Sequence, residues 1–349
     1  MGKLIEFSPC KREKNIEEKI IFHIKKKDFV KILHLLECDI NLNYKDKSNK
    51  TMLIWAVIQN CFKLVNLLIE KKASVEISDN EGKTPLIWAA ELGFEDILVS
   101  ILKVNTIIDR RDNDSMSSLS WASLNANINI MKILIEKGAN VNLGDKDGAT
   151  PLMHASWSGS LEAVKLLIEN GADINKIDYS RQTALYRVCY KNYTDILELL
   201  LQKGANFKTL DINGWSPIVW ALIQGNYDSA DILINYGFNL DEVIFNEIPL
   251  LIFFVKEENY EVTEYLIKKN AYIDIRDDLG KTPLMYAAEK GNLELVKLLL
   301  KNGANPFKSD KFGTTPFLFA IENNFIKVSD FIHEEILKIR NRRLKSRKN

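Results

Sequence analysis

Apolar residues recur along this chain in two alternating helical stripes. The short stripe appears at Leu86, Ala89 and Ala90, where small alanines let another helix approach closely. The longer one appears at Leu293-Glu294-Leu295-Val296-Lys297-Leu298-Leu299-Leu300, apolar at helical spacing on one side and charged on the other. Thr84 followed by Pro85 predicts the start of the short helix, because the hydroxyl accepts from an orphan amide and proline suits the first helical position. Gly93, Gly159, Gly225 and Gly291 end it by supplying a left-handed residue. Gly303 closes the longer helix, and Ala304-Asn305 leads into an extended turn. The predicted unit is helix, turn, helix, projecting loop. Alone it cannot bury its apolar face, so neighbouring units must stack.

The unit repeats on a fixed ruler. Thr51, Thr84, Ser117, Thr150, Thr183, Ser216, Ile248, Thr282 and Thr315 head equivalent phrases 33 residues apart, except for one gap of 32 before Ile248 and one of 34 after it. The phrases include Thr84-Pro85-Leu86-Ile87-Trp88-Ala89-Ala90, Thr150-Pro151-Leu152-Met153-His154-Ala155-Ser156 and Thr282-Pro283-Leu284-Met285-Tyr286-Ala287-Ala288. A second phrase keeps step with them: Gly138-Ala139-Asn140-Val141-Asn142, Gly171-Ala172-Asp173-Ile174-Asn175, Gly204-Ala205-Asn206 and Gly303-Ala304-Asn305.

A 33-residue period carrying T-P-L-x-x-A resembles the ankyrin-repeat family. The resemblance implies an all-α solenoid of stacked helix-turn-helix units with projecting β-hairpin loops. We read a lead at 1–13, about ten repeats over 14–337 and a basic tail at 338–349. The first repeat is degenerate and reads as a cap, with Ile20, Ile21, Phe29, Ile32, Leu33, Leu35 and Leu36 on core positions. Phe325, Val328, Phe331, Ile332, Ile336 and Ile339 carry a final helix past normal repeat length. The eighth repeat breaks the pattern. Headed by Ile248-Pro249, it places Phe253 and Phe254 where alanines belong and holds an extra residue near Lys256-Glu257-Glu258. The third repeat lacks the turn glycine, reading Lys103-Val104-Asn105-Thr106-Ile107-Ile108.

Composition narrows the function. Net charge is zero with 27% of residues charged, so no overall field points to nucleic acid or membrane. Seven cations nevertheless fall at Lys338, Arg340, Arg342, Arg343, Lys345, Arg347 and Lys348. Cys10, Cys38, Cys61 and Cys189 show no metal or redox spacing and read as reduced thiols. No apolar run is long enough to span a membrane, the first twenty residues are too charged for a secretory signal, and Glu6 spoils a myristoylation motif. The expectation is a cytoplasmic, monomeric protein. His23, His34, His154 and His333 have no ligand partners at metal spacing, Ser158-Gly159-Ser160 is a repeat turn, and every glycine belongs to the repeat. No enzyme and no cofactor are expected.

Tryptophans carry the remaining information. Trp55, Trp88, Trp121 and Trp220 share one slot with Tyr286 and Phe319, which reads as packing between repeats. Trp215 occupies a slot that is not aromatic elsewhere, and Trp157 one that reads Glu91 and Glu289 in other repeats. The resemblance implies that partners bind a concave groove lined by loop tips and the exposed side of the first helices. Those positions are polar in the third repeat, at Asn80, Glu81, Lys83 and Glu91, and again near Asp278, Lys281, Glu289 and Lys290. In the middle they read Met116, Leu124, Trp157, Tyr179, Tyr190, Ile212, Trp215, Ile223, Phe245 and Val255. Rings and aliphatics with a charged rim have the make-up of a protein interface. The expected function is a non-catalytic scaffold that binds another protein there. The alternative is a scaffold tethered by its basic tail to nucleic acid or anionic lipid.

Overall fold

The computed structural model describes residues 15–241, 243–244 and 248–346 of the 349-residue chain. It is all-α, with twenty helices in ten pairs among the described residues, and it divides between Arg187 and Val188 into two compact units. The first unit holds α1 (Ile16–Lys25) with α2 (Phe29–Leu35), and α3 (Met52–Ile58) with α4 (Phe62–Glu70). It continues with α5 (Pro85–Leu92) and α6 (Glu95–Leu102), α7 (Ser118–Leu124) and α8 (Ile128–Glu136), and α9 (Pro151–Ser158) and α10 (Leu161–Glu169). The division falls inside α11 (Ala184–Lys191). The second unit continues with α12 (Thr194–Gln202), α13 (Pro217–Ile223), α14 (Tyr227–Asn235), α15 (Leu250–Lys256), α16 (Tyr260–Lys268), α17 (Pro283–Glu289) and α18 (Leu293–Lys301). It ends with α19 (Pro316–Glu322) and α20 (Ile326–Ser346).

Every expected helix start but that of the eighth repeat is present. Thr51, Thr84, Ser117, Thr150, Thr282 and Thr315 are extended N-caps whose side-chain oxygens accept the N–H three residues on. Gly93 and Gly159 follow their helices at φ 77°, in the left-handed region. Within each unit first helix packs on first helix: α3 on α5, α5 on α7 and α7 on α9 in one, α15 on α17 and α17 on α19 in the other. Ala56, Ala89, Ala122 and Ala155 are fully buried at those contacts, which is why the slot favours alanine. The second phrase of the repeat ties neighbours together. Asn142 Oδ1 accepts the Asp173 N–H at 2.8 Å, and Asp274 Oδ1 accepts the Asn305 N–H at 3.0 Å.

The ends of the array depart from the core pattern read above. Ile20, Ile21, Ile32 and Leu36 are buried, but Phe29 and Leu33 stay exposed. The turn after α6 closes without a left-handed residue at Asn105, so the missing glycine is replaced by a different turn. Cys61 and Cys189 are free and buried, whereas Cys38 is disulfide-bonded, so the all-thiol reading fails at Cys38. Spacing along a chain does not reveal which cysteines the fold brings together.

The eighth repeat corrects the ruler. Pro249, not Ile248, caps α15, so the period is unbroken at 33 and no residue is inserted near Lys256. Phe253 therefore stands in the tryptophan slot, and only Phe254 replaces an alanine. Val255 occupies the slot of Ala90 and is likewise fully buried. Its loop is a two-stranded hairpin, β1 (Val243–Ile244) with β2 (Ile248–Pro249), pairing Val243 with Pro249 and Ile244 with Ile248. Phe254 is 1% exposed and fills its site. Phe254→Ala should therefore cost about 3 kcal/mol of stability by leaving a cavity. Equilibrium denaturation of the two proteins measures it; a variant as stable as the parent would mean the phenylalanine is strained rather than packed.

Candidate functional site

All the loops but that of the eighth repeat carry an aspartate fastening that sequence reasoning passed over. Asp46, Asp79, Asp112, Asp145 and Asp211 each turn Oδ1 toward two backbone N–H groups, two and four residues on. Examples are Glu81 and Lys83 on Asp79 at 2.9 and 3.0 Å, and Asn213 and Trp215 on Asp211 at 2.8 and 3.0 Å. Oδ2 accepts from the side chain nine residues on. The indole N–H groups of Trp55, Trp88, Trp121 and Trp220 donate at 2.8–2.9 Å. In three further repeats the donor changes while the bond persists: His154 Nε2 lies 3.0 Å from Asp145, Arg187 donates to Asp178 at 2.7 Å, and the Tyr286 hydroxyl donates to Asp277. Asp79, Asp112, Asp178 and Asp211 are buried, so these partners stand in for lost water.

The recurring tryptophan is thus a hydrogen-bond donor to its own loop, not only a spacer between repeats. His154 belongs to the same set. The signal was present in the sequence as an aspartate nine residues before each slot. In the eighth repeat both members change together, to Ile244 and Phe253, and the hairpin takes over the fastening. Burial acts most strongly on the Asp46 and Asp145 carboxyls and would raise their pKa. The bonds from Ser48, Trp55 and Lys50, and from His154, Ala149 and Asp147, outweigh it and hold both below the usual 3.8. Burial, followed by the bond to Asp277, pushes the Tyr286 phenol upward.

The ten predicted groove residues separate by slot. In the first unit Tyr179 sits at a loop tip, 77% exposed, with its ring against Gly148 and its N–H donating to Asp147 O at 2.9 Å. Trp157, at the end of α9, is 40% exposed, and Leu124 in the equivalent place on α7 is half-buried. Met116 is corrected: it is buried, because the residue before the helix cap is drawn inward when its N–H bonds the loop aspartate. Lys83, in that same slot, is buried between the Trp88 and Trp121 rings, 4.7 and 4.1 Å from their centroids, and pairs with Glu91 at 2.7 Å. Burial alone would lower its pKa, but the bond and charge of Glu91, with Glu81, raise it.

In the second unit Ile212 is a loop tip, 64% exposed, and Ile223 ends α13 on the surface. Trp215 and Tyr190 are half-buried in a run of rings. Tyr190 meets Trp220 at 6.0 Å, Trp215 meets Trp220 at 5.4 Å and Phe253 at 5.9 Å, and Phe253 meets Phe254 at 5.0 Å. Edge-on pairs of this kind contribute about 0.5–1.5 kcal/mol each, so Trp215 is a packing residue. Val255 is corrected as well: the one-residue register error placed a core side chain on the surface. Phe245 lies outside the described residues. The cations from Lys338 to Lys345 lie on α20, which continues the last repeat as one helix to Ser346.

Among the described residues no three His, Cys, Asp or Glu side chains are grouped to hold a metal ion, and no helix is long and apolar enough to cross a membrane. Against known families, a model of ankyrin repeats in three copies matches residues 20–112, 98–178 and 250–341. A model of ankyrin repeats in many copies matches residues 158–201 and 189–234. No curated protein matches the chain.

The aspartate fastening makes stability depend on pH with a definite sign. Carboxyls held below 3.8 contribute fully above about pH 4, and the contribution is lost as pH falls through their lowered folded values. Thermal unfolding should show midpoints dropping steeply below pH 4, and Asp145→Asn should flatten part of that drop. An unchanged slope in the variant would show that Asp145 carries no folding charge.

Proposed function

The chain belongs to the ankyrin-repeat family, whose arrays generally serve as protein–protein interaction modules, and we propose that it binds another protein through its loop tips and first-helix ends. The observation that carries this is the loop-tip slot. Lys47, Asn80, Asn113, Lys146, Asp278 and Lys311 occupy it in six repeats and Phe245 in another, and Tyr179 and Ile212 present large apolar side chains to solvent. The Tyr179 backbone is bonded to the preceding loop and its ring passes close to Gly148, so part of its freedom is already restricted before a partner arrives. That preorganisation removes part of the entropic cost of association.

The end-of-helix slot adds apolar surface in each unit. Trp157 in one and Ile223 in the other are exposed where Glu91, Lys256, Glu289 and Glu322 are charged, and Ile58, Leu124 and Tyr190 share their apolar character. Contact areas made of a few rings within a polar surround are where binding energy concentrates. The reaction proposed is recognition, with no covalent step.

Tyr179→Ala and Trp157→Ala should each weaken partner binding by about 2 kcal/mol while changing stability by only about 0.5 kcal/mol. Trp215→Ala should do the reverse, lowering stability through lost ring contacts and leaving affinity near the parent value. Capture of partner proteins from a lysate by the whole chain and by each variant, read beside thermal unfolding, gives both quantities. Undiminished capture by the Tyr179→Ala/Trp157→Ala protein would remove this surface from consideration. Capture that collapses as salt rises would instead point to the cationic end of α20.

A further inference from the structure

An apolar groove runs between the second helices of the first two repeats. Phe29, Ile32 and Leu33 of α2 and Phe62, Leu64 and Leu67 of α4 line it, and its volume is about 570 Å³. Phe29, Leu33 and Phe62 are 42%, 53% and 43% exposed. Phe29 and Leu33 stand where the repeat pattern asks for core residues, so side chains suited to burial are left without cover. A second departure lies at one end of the same helix. Cys38, three residues beyond α2, is half-buried and disulfide-bonded. Its column reads lysine four times in other repeats, at Lys71, Lys137, Lys203 and Lys269, and never cysteine. The repeat itself does not call for a thiol there. Of the four cysteines, Cys61 and Cys189 are free, which leaves Cys10 as the one partner within the chain.

We propose that a Cys10–Cys38 disulfide straps the lead over this groove, with Leu4, Ile5 and Phe7 as the occupants that cover Phe29, Leu33 and Phe62. The lead has the right composition, since its apolar residues precede Cys10 and its cations Lys11, Arg12 and Lys14 follow it. It also has the right length. Leu4 lies six residues and Phe7 three residues before Cys10, spans of up to roughly 20 and 10 Å, and α2 is about 10 Å long. The path back to α1 is short. The Asn41 N–H donates to Glu17 Oε1 at 3.2 Å and the Tyr44 hydroxyl to Glu18 at 3.0 Å, so the chain just after Cys38 lies beside the start of α1. Five residues take the chain from Cys10 to Asn15. The bond forms by thiol–disulfide exchange with a small-molecule disulfide. One cysteine thiolate displaces a small thiol to give a mixed disulfide, and the other displaces the second small thiol, so two protein thiols are oxidised as one small disulfide is reduced. The strap uses none of the loop-tip residues and does not depend on the partner-binding reading.

Two measurements on the full chain, treated with glutathione disulfide, test the bond and the docking separately. Trypsin digestion without reductant should yield peptide 4–11 joined to peptide 32–45, and the pair should come apart on reduction. Hydrogen exchange should then show the amides of residues 4–7 exchanging on the order of tenfold more slowly in the oxidised chain than in the reduced one. Phe7→Asp should remove that protection while the disulfide still forms. Phe62→Glu should do the same from the other side of the contact, and it keeps the fold because Glu95 holds the same slot in the next repeat and an acidic residue suits a helix start. Cys38 found as a free thiol, joined to Cys61 or joined to a second copy of the chain would overturn the strap. Lead amides equally fast in the oxidised parent and in Phe7→Asp would overturn the docking, as would protection that survives Phe62→Glu.

Discussion

A carboxylate out of water must be given its hydrogen bonds by the protein, and that constraint organises each repeat. One aspartate oxygen closes the loop on itself, and the other takes a donor from the helix that follows. Helix start, loop shape and the identity of the residue nine positions on are thereby coupled. The donor can be indole, imidazole, guanidinium or phenol, because the geometry asks only for an N–H or O–H at that distance. Leaving the acceptor buried without one would cost about 1–3 kcal/mol. The last repeat is informative: Phe319 offers no donor there, and Asp310 keeps only its loop bonds from Phe312 and Thr314 among those that recur elsewhere.

The same coupling explains why one slot looked available and was not. Bonding the N–H of the residue before the cap to the aspartate pulls that residue under the neighbouring rings. Lys50, Lys83 and Met116 are all buried there, the lysines through ion pairs at 2.9 and 2.7 Å. Exposure begins one residue after the aspartate, where Tyr179 and Ile212 stand. A partner would therefore meet the tip of each loop and the end of each first helix, while the slot between them supports the array from inside.

Much of this was legible in the residues. Threonine caps, left-handed glycines and the paired phrases fixed helix starts and ends because each is a local backbone requirement, satisfied within a few residues. The register of the eighth repeat was not legible from its first letters, since Ile248-Pro249 imitates Thr-Pro with an offset of one. Counting 33 from Ser216 reaches Pro249 and would have placed Val255 in the core. The aspartate bond was also within reach, as a spacing of nine kept wherever the slot holds a donor and lost with it at Ile244 and Phe253. What no periodicity carries is the direction of a half-buried ring. Trp157 is 40% exposed at the end of its helix, whereas Trp215 packs on Trp220 and Phe253.

A repeat protein thus offers its own internal controls. Every slot is sampled about ten times in near-identical backbone, so an unusual residue can be judged against its column rather than against an average protein. An apolar side chain in a column that is mostly polar and exposed here, such as Tyr179, gains little from packing there.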